Sequence, residues 1–262
     1  MLLIFQKGVF MNKTFLSCIL LLLVNLSIFS VSSILVTGGA GFIGSHVAYR
    51  MMQEGYHIII LDNTTNNVNH VSWATCIAGD YAEKEKLAEL FQQYDIKAVV
   101  HCAAYIQVGE SVRNPWKYYD NNVSKTLVLL DTMRKYGIRK LIFSSSAAVY
   151  GNPQWVPMTE DHPRDPINPY GNTKHMMELI CQDFHRAYGL EYVIFRYFNA
   201  AGAMPDWGLG EKHEPETHLI PLLLQSALNG NPFYLFGTDY TTKDGTCIRD
   251  YIHVYDLSLI HI

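Results

Sequence analysis

Three glycines at intervals of three follow a short apolar run near the start of the sequence. The apolar run covers residues 34–36, and the glycines are Gly38, Gly41 and Gly44. A strand, a glycine turn and a helix start, in that order, allow a tight turn, close approach of a ligand to the backbone, and packing of helix on strand. The N–H groups at the helix start favour phosphate. The segment therefore predicts an α/β fold with a pyrophosphate site at its first turn.

Short apolar runs alternate with helical periodicities through the next 150 or so residues. Strands are predicted at 34–36, 58–61, 98–100, 141–143 and 192–195, and helices at 42–54, 83–94, 116–136 and 170–188. Strands that are apolar at every residue and are separated by helices indicate a parallel sheet covered on both faces. The sequence thus predicts a doubly wound, Rossmann-type α/β domain over residues 34–200, with ligands at the carboxyl ends of the strands.

The amino-acid composition of the sequence changes after Asn199. Residues 202–216 are rich in Gly, Pro and acidic residues, which predicts a loop, and a helix at 219–228 and a strand at 233–236 follow. We interpret residues 201–262 as a smaller, partial substrate domain. An apolar run at 251–254 should lead into a helix, but residues 257–262 lack a helical pattern, so we expect a C-terminally truncated chain.

Residues 1–33 resemble a signal peptide or an N-terminal anchor, with an apolar stretch from Phe15 to Phe29. An over-extended start ahead of the first strand is an equally good interpretation. The five cysteines show no zinc or redox spacing and favour a reducing, cytoplasmic location, with membrane association through residues 11–33 as the alternative. The net charge of −4 argues against nucleic acid, and the eleven histidines show no His-Glu-x-x-His spacing, so no metal is expected.

An acidic residue at the end of the second predicted strand indicates which dinucleotide the turn would bind. Asp62, followed by Asn63, stands where a carboxylate accepts the hydroxyls of an adenosine ribose and repels a 2′-phosphate. NAD is therefore favoured over NADP. Asp80 is predicted to lie near the adenine, although a loop-capping role fits almost as well.

A serine, a tyrosine and a lysine form the predicted catalytic group. Ser146 ends the fourth predicted strand, and Tyr170 and Lys174 are four residues apart on the next helix. A free phenol has a pKa near 10, and a nearby ammonium together with the positive nicotinamide should lower it enough for base catalysis. The serine hydroxyl can hold the substrate oxygen.

These motifs resemble those of the extended short-chain dehydrogenase/reductase family, and within it those of the UDP-sugar 4-epimerases. The resemblance covers residues 34 to about 256 and rests on the segments 37–46, 61–63, 108–112, 118–122, 144–151, 196–199 and 249–254. It implies an isomerase of galactose metabolism, with bound NAD and UDP-glucose or UDP-galactose as substrate. The sugar would pass through a 4-keto form, and the protein is expected to be a homodimer.

The resemblance also implies the site residues. Ser146, Tyr170 and Lys174 match the catalytic residues. The expected cofactor contacts are Gly38, Gly41, Phe42, Ile43, Gly44, Asp62, Asn63, Asp80, Tyr81, Asn121, Tyr170, Lys174 and Tyr197. The expected substrate contacts are Ser146, Tyr170, Asn199, Leu219, Phe236 and Arg249.

Two positions depart from the family pattern. Gln107 follows Ile106 where the family often has a lysine on the cofactor, and Ala148 stands where a threonine is frequent. A 4,6-dehydratase of the same fold is a rival interpretation, but it needs an acid pair beside the serine, where this chain has Ala147 and Ala148. A different UDP-sugar epimerase and an NAD-binding fragment with impaired catalysis also fit the sequence.

Overall fold

A six-stranded parallel sheet forms the centre of the structure, a computed structural model that describes residues 31–64, 71–235 and 237–262. Its strands are β1 (Ser33–Thr37), β2 (His57–Asp62), β3 (Thr75–Ala78), β4 (Ile96–His101), β5 (Lys140–Ser146) and β6 (Glu191–Tyr197). Their order is β3-β2-β1-β4-β5-β6. The order reverses between β1 and β4, and the crevice at their carboxyl ends is where doubly wound sheets bind ligands. The predicted fold class is confirmed.

Helices cover both faces of the sheet. They are α1 (Phe42–Gln53), α2 (Lys84–Gln93), α3 (Val108–Arg113), α4 (Pro115–Tyr119), α5 (Thr126–Lys135), α6 (Pro169–Tyr188), α7 (Leu219–Asn229) and α8 (Val254–Leu259). Successive side chains of a strand point to opposite faces, so apolar residues at every position bury both. Leu35 accordingly packs in one core with Leu129 and Met177, while Val36 packs in the other with Val47 and Leu257.

One predicted helix differs from the structure in its extent, and one strand was not predicted. The helix expected at 116–136 is divided into α4, a π-helical turn at Asp120–Lys125, and α5. Asn114 caps α4 by accepting the Lys117 N–H, with Pro115 at the first helical position. Apolar periodicity cannot reveal the extra residue of a π turn. The edge strand β3 was also missed, since only four residues form it and they are no more than partly buried.

The prediction for the end of the chain was partly wrong. Residues 233–235 are not a strand, and Phe236 lies outside the described residues. Helix α8 does form, because Val254 and Leu257 are fully buried against α1, and the His253 side chain accepts the Tyr255 N–H at its start. Tertiary burial of two residues thus compensates for a weak local pattern.

A short parallel pair lies beside the main sheet. Strand β7 (Asn199–Ala201) pairs with β8 (Tyr251–His253), so residues from both sides of the long connecting segment meet there. Residues Ser32–Ile262 form one compact unit. The domain boundary near residue 200 stays a prediction, and residues 1–30 lie outside the described part. Among the described residues no helix has the length and apolar character needed to cross a membrane.

Candidate active site

The glycine turn between β1 and α1 is held by close backbone contacts. Gly38 has φ +72°, which favours glycine, and a Cβ there would lie 2.5 Å from the backbone nitrogen of Ala103. A Cβ at Gly44 would lie 2.1 Å from the carbonyl oxygen of Gly38. Both glycines are therefore required for α1 to start directly against the turn.

The first turn of α1 offers backbone donors. Gly41 precedes the helix without a side-chain cap, and only the Gly38 oxygen, at 3.3 Å, lies within contact distance of a Cβ added there. The N–H groups of Phe42 and Ile43 therefore have no intrahelical acceptor, and the space beside Gly41 would be narrowed by any side chain. These features fit a dinucleotide pyrophosphate, which needs close backbone approach and several N–H donors.

Asp62 links the end of β2 to the glycine turn. One carboxylate oxygen accepts the Ala40 N–H at 3.0 Å, and the other accepts the N–H and hydroxyl of Thr64. The carboxylate is thus fixed beside the turn, while Asn63 is exposed. This position suits an acceptor for ribose hydroxyls next to the pyrophosphate donors.

Asp80, Tyr81 and Asn121 connect the loop after β3 with the π-helical turn. Asp80 accepts the Ala82 N–H and forms an ion pair with Lys125. These contacts within the protein are those expected of a loop-capping aspartate. The Tyr81 hydroxyl donates to the Asn121 carbonyl. The contacts predicted between these three residues and the cofactor stay predictions.

Ser146 and Tyr170 come together at the carboxyl end of β5. Ser146 ends the strand, and its hydroxyl accepts the Ala148 N–H at 3.1 Å. Helix α6 starts at a cap in which Asn168 accepts the Gly171 N–H. A Cβ at Gly171 would lie 2.6 Å from the Ala148 carbonyl oxygen, so only glycine permits this approach. The Tyr170 hydroxyl consequently lies close enough to Ser146 for the serine side chain to lower the phenol pKa.

Lys174 is buried one turn further along α6. Its ammonium donates to the Ser144 carbonyl at 2.7 Å and lies 5.9 Å from the centroid of the Tyr170 ring. Burial lowers the pKa of Lys174 to about 8. Burial also raises the pKa of Tyr170, and the nearby Ser146 side chain only partly offsets this. Within the protein alone, desolvation is therefore the dominant influence on the phenol pKa, and the lowering expected from Lys174 together with oxidised NAD stays a prediction.

A buried ion pair next to the predicted catalytic residues was missed at the sequence level. Glu178 accepts the Ser145 hydroxyl at 2.6 Å and two N–H groups of Arg196 at 2.9 and 2.7 Å. Arg196 also donates to the Tyr150 hydroxyl, and its hydrogen bonds with Glu178 raise the guanidinium pKa. Glu178 follows Lys174 by four residues, as Lys174 follows Tyr170, which was the available signal.

Asn122 is a second residue that the sequence did not single out. Its side chain accepts the Tyr105 N–H and donates to the Tyr105 carbonyl and to the Thr173 hydroxyl. It therefore ties the loop after β4 to α6, one residue before Lys174. Its neighbour Asn121 is buried and donates to the same amide oxygen.

The expected substrate residues are only partly brought together. The Asn199 amide donates to the Asp250 carbonyl at 2.8 Å, which places it beside exposed Arg249 at the start of β8. Leu219 is the half-exposed first residue of α7, and no hydrogen bond in the described part of the chain joins it to Asn199 or Arg249. Phe236 lies outside the described residues. The Tyr197 hydroxyl, expected near the nicotinamide, forms a hydrogen bond with His261.

Comparison with known proteins identifies the family. The profile of the NAD dependent epimerase/dehydratase family matches residues 34–262. A UDP-glucose 4-epimerase of Rhizobium meliloti is 48% identical over 233 residues, which are 88% of this chain and 71% of that protein. The chain belongs to the NAD dependent epimerase/dehydratase family.

Solved structures give the same result. The UDP-glucose 4-epimerase of Brucella ovis in complex with NAD is 48% identical, with a TM-score of 0.84 over 88% of this chain and 71% of that one. The enzyme from Bifidobacterium longum in complex with NAD+ and UDP is 39% identical, with a TM-score of 0.84 over 88% of this chain and 72% of that one. The predicted fold and NAD-dependent family are confirmed, whereas the individual site residues stay predictions.

Proposed function

We propose that this chain is a UDP-glucose 4-epimerase that interconverts UDP-galactose and UDP-glucose with a retained NAD. The observation that carries the proposal is the grouping of Ser146 and Tyr170, with Lys174 buried beside them, at the carboxyl end of β5. The family places this group in an NAD-dependent fold, and the similar proteins from Rhizobium meliloti and Brucella ovis are named for this reaction.

NAD fits the turn between β1 and α1. Gly38, Gly41 and Gly44 would let the backbone approach its pyrophosphate, with N–H donors from Phe42 and Ile43. Asp62 would accept the adenosine ribose hydroxyls. When bound, NAD supplies reversible hydride acceptance from carbon 4 of the sugar, so no outside reductant is needed.

Tyr170 is the proposed base for the sugar 4-hydroxyl. Burial raises its pKa, so its phenolate needs more positive charge than Lys174 alone provides. The positive nicotinamide ring of oxidised NAD would add that charge when it lies against the site. Proton removal is thereby confined to the NAD-loaded protein. Ser146 would hold the substrate oxygen in place for the transfer.

Asn199, Leu219 and Arg249 are the proposed contacts to the uridine diphosphate. Among the described residues Arg249 forms no ion pair, and its guanidinium donates only to the Ile248 carbonyl. It remains available for a phosphate, which a guanidinium can bind with two parallel hydrogen bonds. Binding energy placed on the diphosphate would let the 4-keto sugar turn and present its other face to the same hydride donor.

The proposed base can be tested with a matched pair of tyrosine variants on α6. Tyr170→Phe removes the proposed base, whereas Tyr188→Phe removes a hydroxyl at the exposed end of the same helix. We expect Tyr170→Phe to lower the rate of UDP-galactose conversion by about 10²–10⁴-fold. NAD content, measured after protein precipitation, should be the same in both variants.

Two outcomes would contradict the proposal. Near-normal turnover in Tyr170→Phe would remove Tyr170 as the base. Release of a 4-keto-6-deoxy sugar, and not of the C4 epimer, would identify a dehydratase, for which Ala147 and Ala148 supply no acid. Product analysis by NMR distinguishes the two sugars.

We further propose that the protein is a homodimer. Val112 of α3, Trp116 of α4 and Met176 of α6 are apolar and 40–78% exposed, and the three helices pack against one another. An exposed apolar surface on adjacent helices is typical of an association surface.

The cytoplasmic location stays a prediction that cell fractionation tests, because residues 11–30 lie outside the described part.

A further inference from the structure

Two histidines and two glutamates meet in the segment just before α7. Their ligand atoms, one each from Glu211, His213, Glu216 and His218, all lie within 4.8 Å of one another. Both carboxylates are nearly buried, with 8% and 7% of their side chains exposed, while the imidazoles are 28% and 45% exposed. This group lies outside the residues proposed for NAD and for proton transfer.

The distances within the group fit a four-coordinate divalent metal. Nδ1 of His218 lies 2.7 Å from Glu211 Oε1 and 3.2 Å from Glu216 Oε1. Nδ1 of His213 lies 3.1 Å from Glu211 Oε1 and 3.9 Å from Glu216 Oε2. Zinc with nitrogen and oxygen ligands at about 2.0–2.2 Å places neighbouring ligand atoms roughly 3.3 Å apart. The two distances to Glu211 Oε1, 2.7 and 3.1 Å, are close to the edge of a zinc tetrahedron, and the 3.9 Å distance to Glu216 Oε2 would shorten on metal binding.

A second observation concerns the direction of the His213 ring. Its Nδ1 atom is buried and has no hydrogen-bond partner, although the Glu211 oxygen is 3.1 Å away. The contact with Glu211 is thus an ion pair without a well-aligned hydrogen bond, and a metal ion held by both groups would satisfy the nitrogen. The other three ligand atoms of the group all lie within 4.8 Å of the ligand atom of His213.

Glu216 is oriented by the backbone. Its Oε1 accepts the N–H groups of Thr217 and His218 at 2.7 and 2.8 Å, which leaves Oε2 directed to the group. Hydrogen bonds that fix a ligating carboxylate are a regular feature of metal sites. The spacing Glu-x-His-x-x-Glu-x-His differs from the His-Glu-x-x-His pattern whose absence led to the expectation of no metal.

We propose that Glu211, His213, Glu216 and His218 bind one divalent transition-metal ion, with Zn²⁺ as the best-matched ion. Two imidazoles and two carboxylates suit zinc, and a closed set of four protein ligands indicates a structural site. His218 precedes the first residue of α7, so the ion would fix the 211–218 segment to the start of that helix. The proposal does not depend on the proposed enzymatic activity.

The competing explanation is an ion-pair network in which a protonated His218 lies between the two carboxylates. The two explanations differ in what the group does with a cation. Bound zinc requires the lone pairs of both Nδ1 atoms, whereas the ion-pair network requires a proton on His218 and gives no saturable metal binding.

Metal binding to the intact protein tests the proposal. The protein is treated with a chelator, dialysed and titrated with ZnSO₄ in a calorimeter, and we expect one saturable site per chain. X-ray absorption of the loaded protein should show only nitrogen and oxygen ligands near about 2.0–2.2 Å, without sulfur. Thermal unfolding should shift upward with zinc, because binding to the folded state stabilises it.

Variants within the same segment give the control. Glu211→Gln and His213→Gln should each weaken zinc binding by more than about tenfold, the effect that even changes beyond the ligands produce. Glu214→Gln alters an exposed carboxylate that lies outside the group and should bind zinc as the parent does. No saturable binding, or saturable binding that Glu211→Gln and His213→Gln leave unchanged, would overturn the proposal.

Discussion

His101 ends β4 with both of its ring nitrogens in hydrogen bonds. The Thr126 hydroxyl donates to the Asn122 carbonyl, so it accepts from His101 Nε2–H at 3.0 Å. Nδ1 then accepts the Thr37 hydroxyl at 2.6 Å. This neutral tautomer satisfies every group, and burial, helped by the charge of Lys174, lowers the pKa of His101 to about 3.

A pH-dependent stability follows from that neutral imidazole. The ordinary pKa of 6.5 applies in the unfolded chain, so on acidification the unfolded state takes up the proton first. The stabilising contribution of His101 is complete above about pH 6.5 and is lost as the pH falls toward 3. We expect His101→Gln, which cannot titrate, to lose less stability between pH 6 and pH 4, by up to about 1.4 kcal/mol per pH unit.

Urea unfolding at several pH values measures this difference in slope. The variant need not match the parent in absolute stability, because the comparison concerns only the change with pH. Parallel pH profiles for parent and variant would show that His101 does not carry the effect. Other buried histidines, among them His261 with its pKa lowered to about 4 by burial, contribute equally to both profiles.

Single residues of the site differ in how far the sequence could predict them. Ser146, Tyr170 and Lys174 could be proposed because a strand end and one helix face carry them. The ion pair of Glu178 with Arg196 could not, since it depends on β6 lying next to β5 in the sheet. The pKa of Tyr170 also could not, because burial is a property of the folded surroundings.

At the scale of elements, the junction of β1 and α1 gives a direct test of the glycine turn. Gly44→Ala places a Cβ 2.1 Å from the Gly38 carbonyl oxygen, so α1 must move away from the turn. Overpacking of this kind destabilises by about 1–3 kcal/mol. We expect Gly44→Ala to lose that much unfolding free energy and to retain much less NAD after purification.

Gly109→Ala is the matched control, since it also adds a methyl group to a helical glycine. The nearest atom to a Cβ at Gly109 is the end of the Arg113 side chain, at 3.9 Å. Alanine there should be neutral or stabilising by up to about 1 kcal/mol. Equal NAD retention in the two variants would mean that the close packing of α1 on the turn is unnecessary for the cofactor.

The elements themselves show where a sequence pattern is sufficient. Strands β1, β2 and β4 have short but uninterrupted apolar runs that require burial on both faces, and their position could be predicted. Strand β3 has three half-buried residues and one exposed residue, and it is held only by its pairing with β2 at the edge of the sheet. The π-helical turn at Asp120–Lys125 leaves no periodic signal. Helix α8 depends on burial against α1, a contact between the two ends of the described unit.

At the scale of the whole molecule, the apolar surface of α3, α4 and α6 leads to the last prediction. Trp116 is 78% exposed and Val112 61%, although both lie close to the helix that carries Tyr170 and Lys174. Association of two chains through this surface would bury these side chains and stabilise α6 from outside. A charged residue at the centre of such a surface opposes association, because its desolvation is not compensated.

We expect Trp116→Glu to convert a dimer into a monomer, as measured by light scattering on a size-exclusion column. Leu228→Glu is the control, since Leu228 is 85% exposed but belongs to α7, outside this surface. A parent protein that is monomeric at micromolar concentration would contradict the proposed dimer. If Leu228→Glu gave the monomer and Trp116→Glu did not, the association surface would be α7, whose side chains are at most partly buried. A monomer in Trp116→Glu alone therefore places the interface on α3, α4 and α6, and a monomer in Leu228→Glu alone places it on α7.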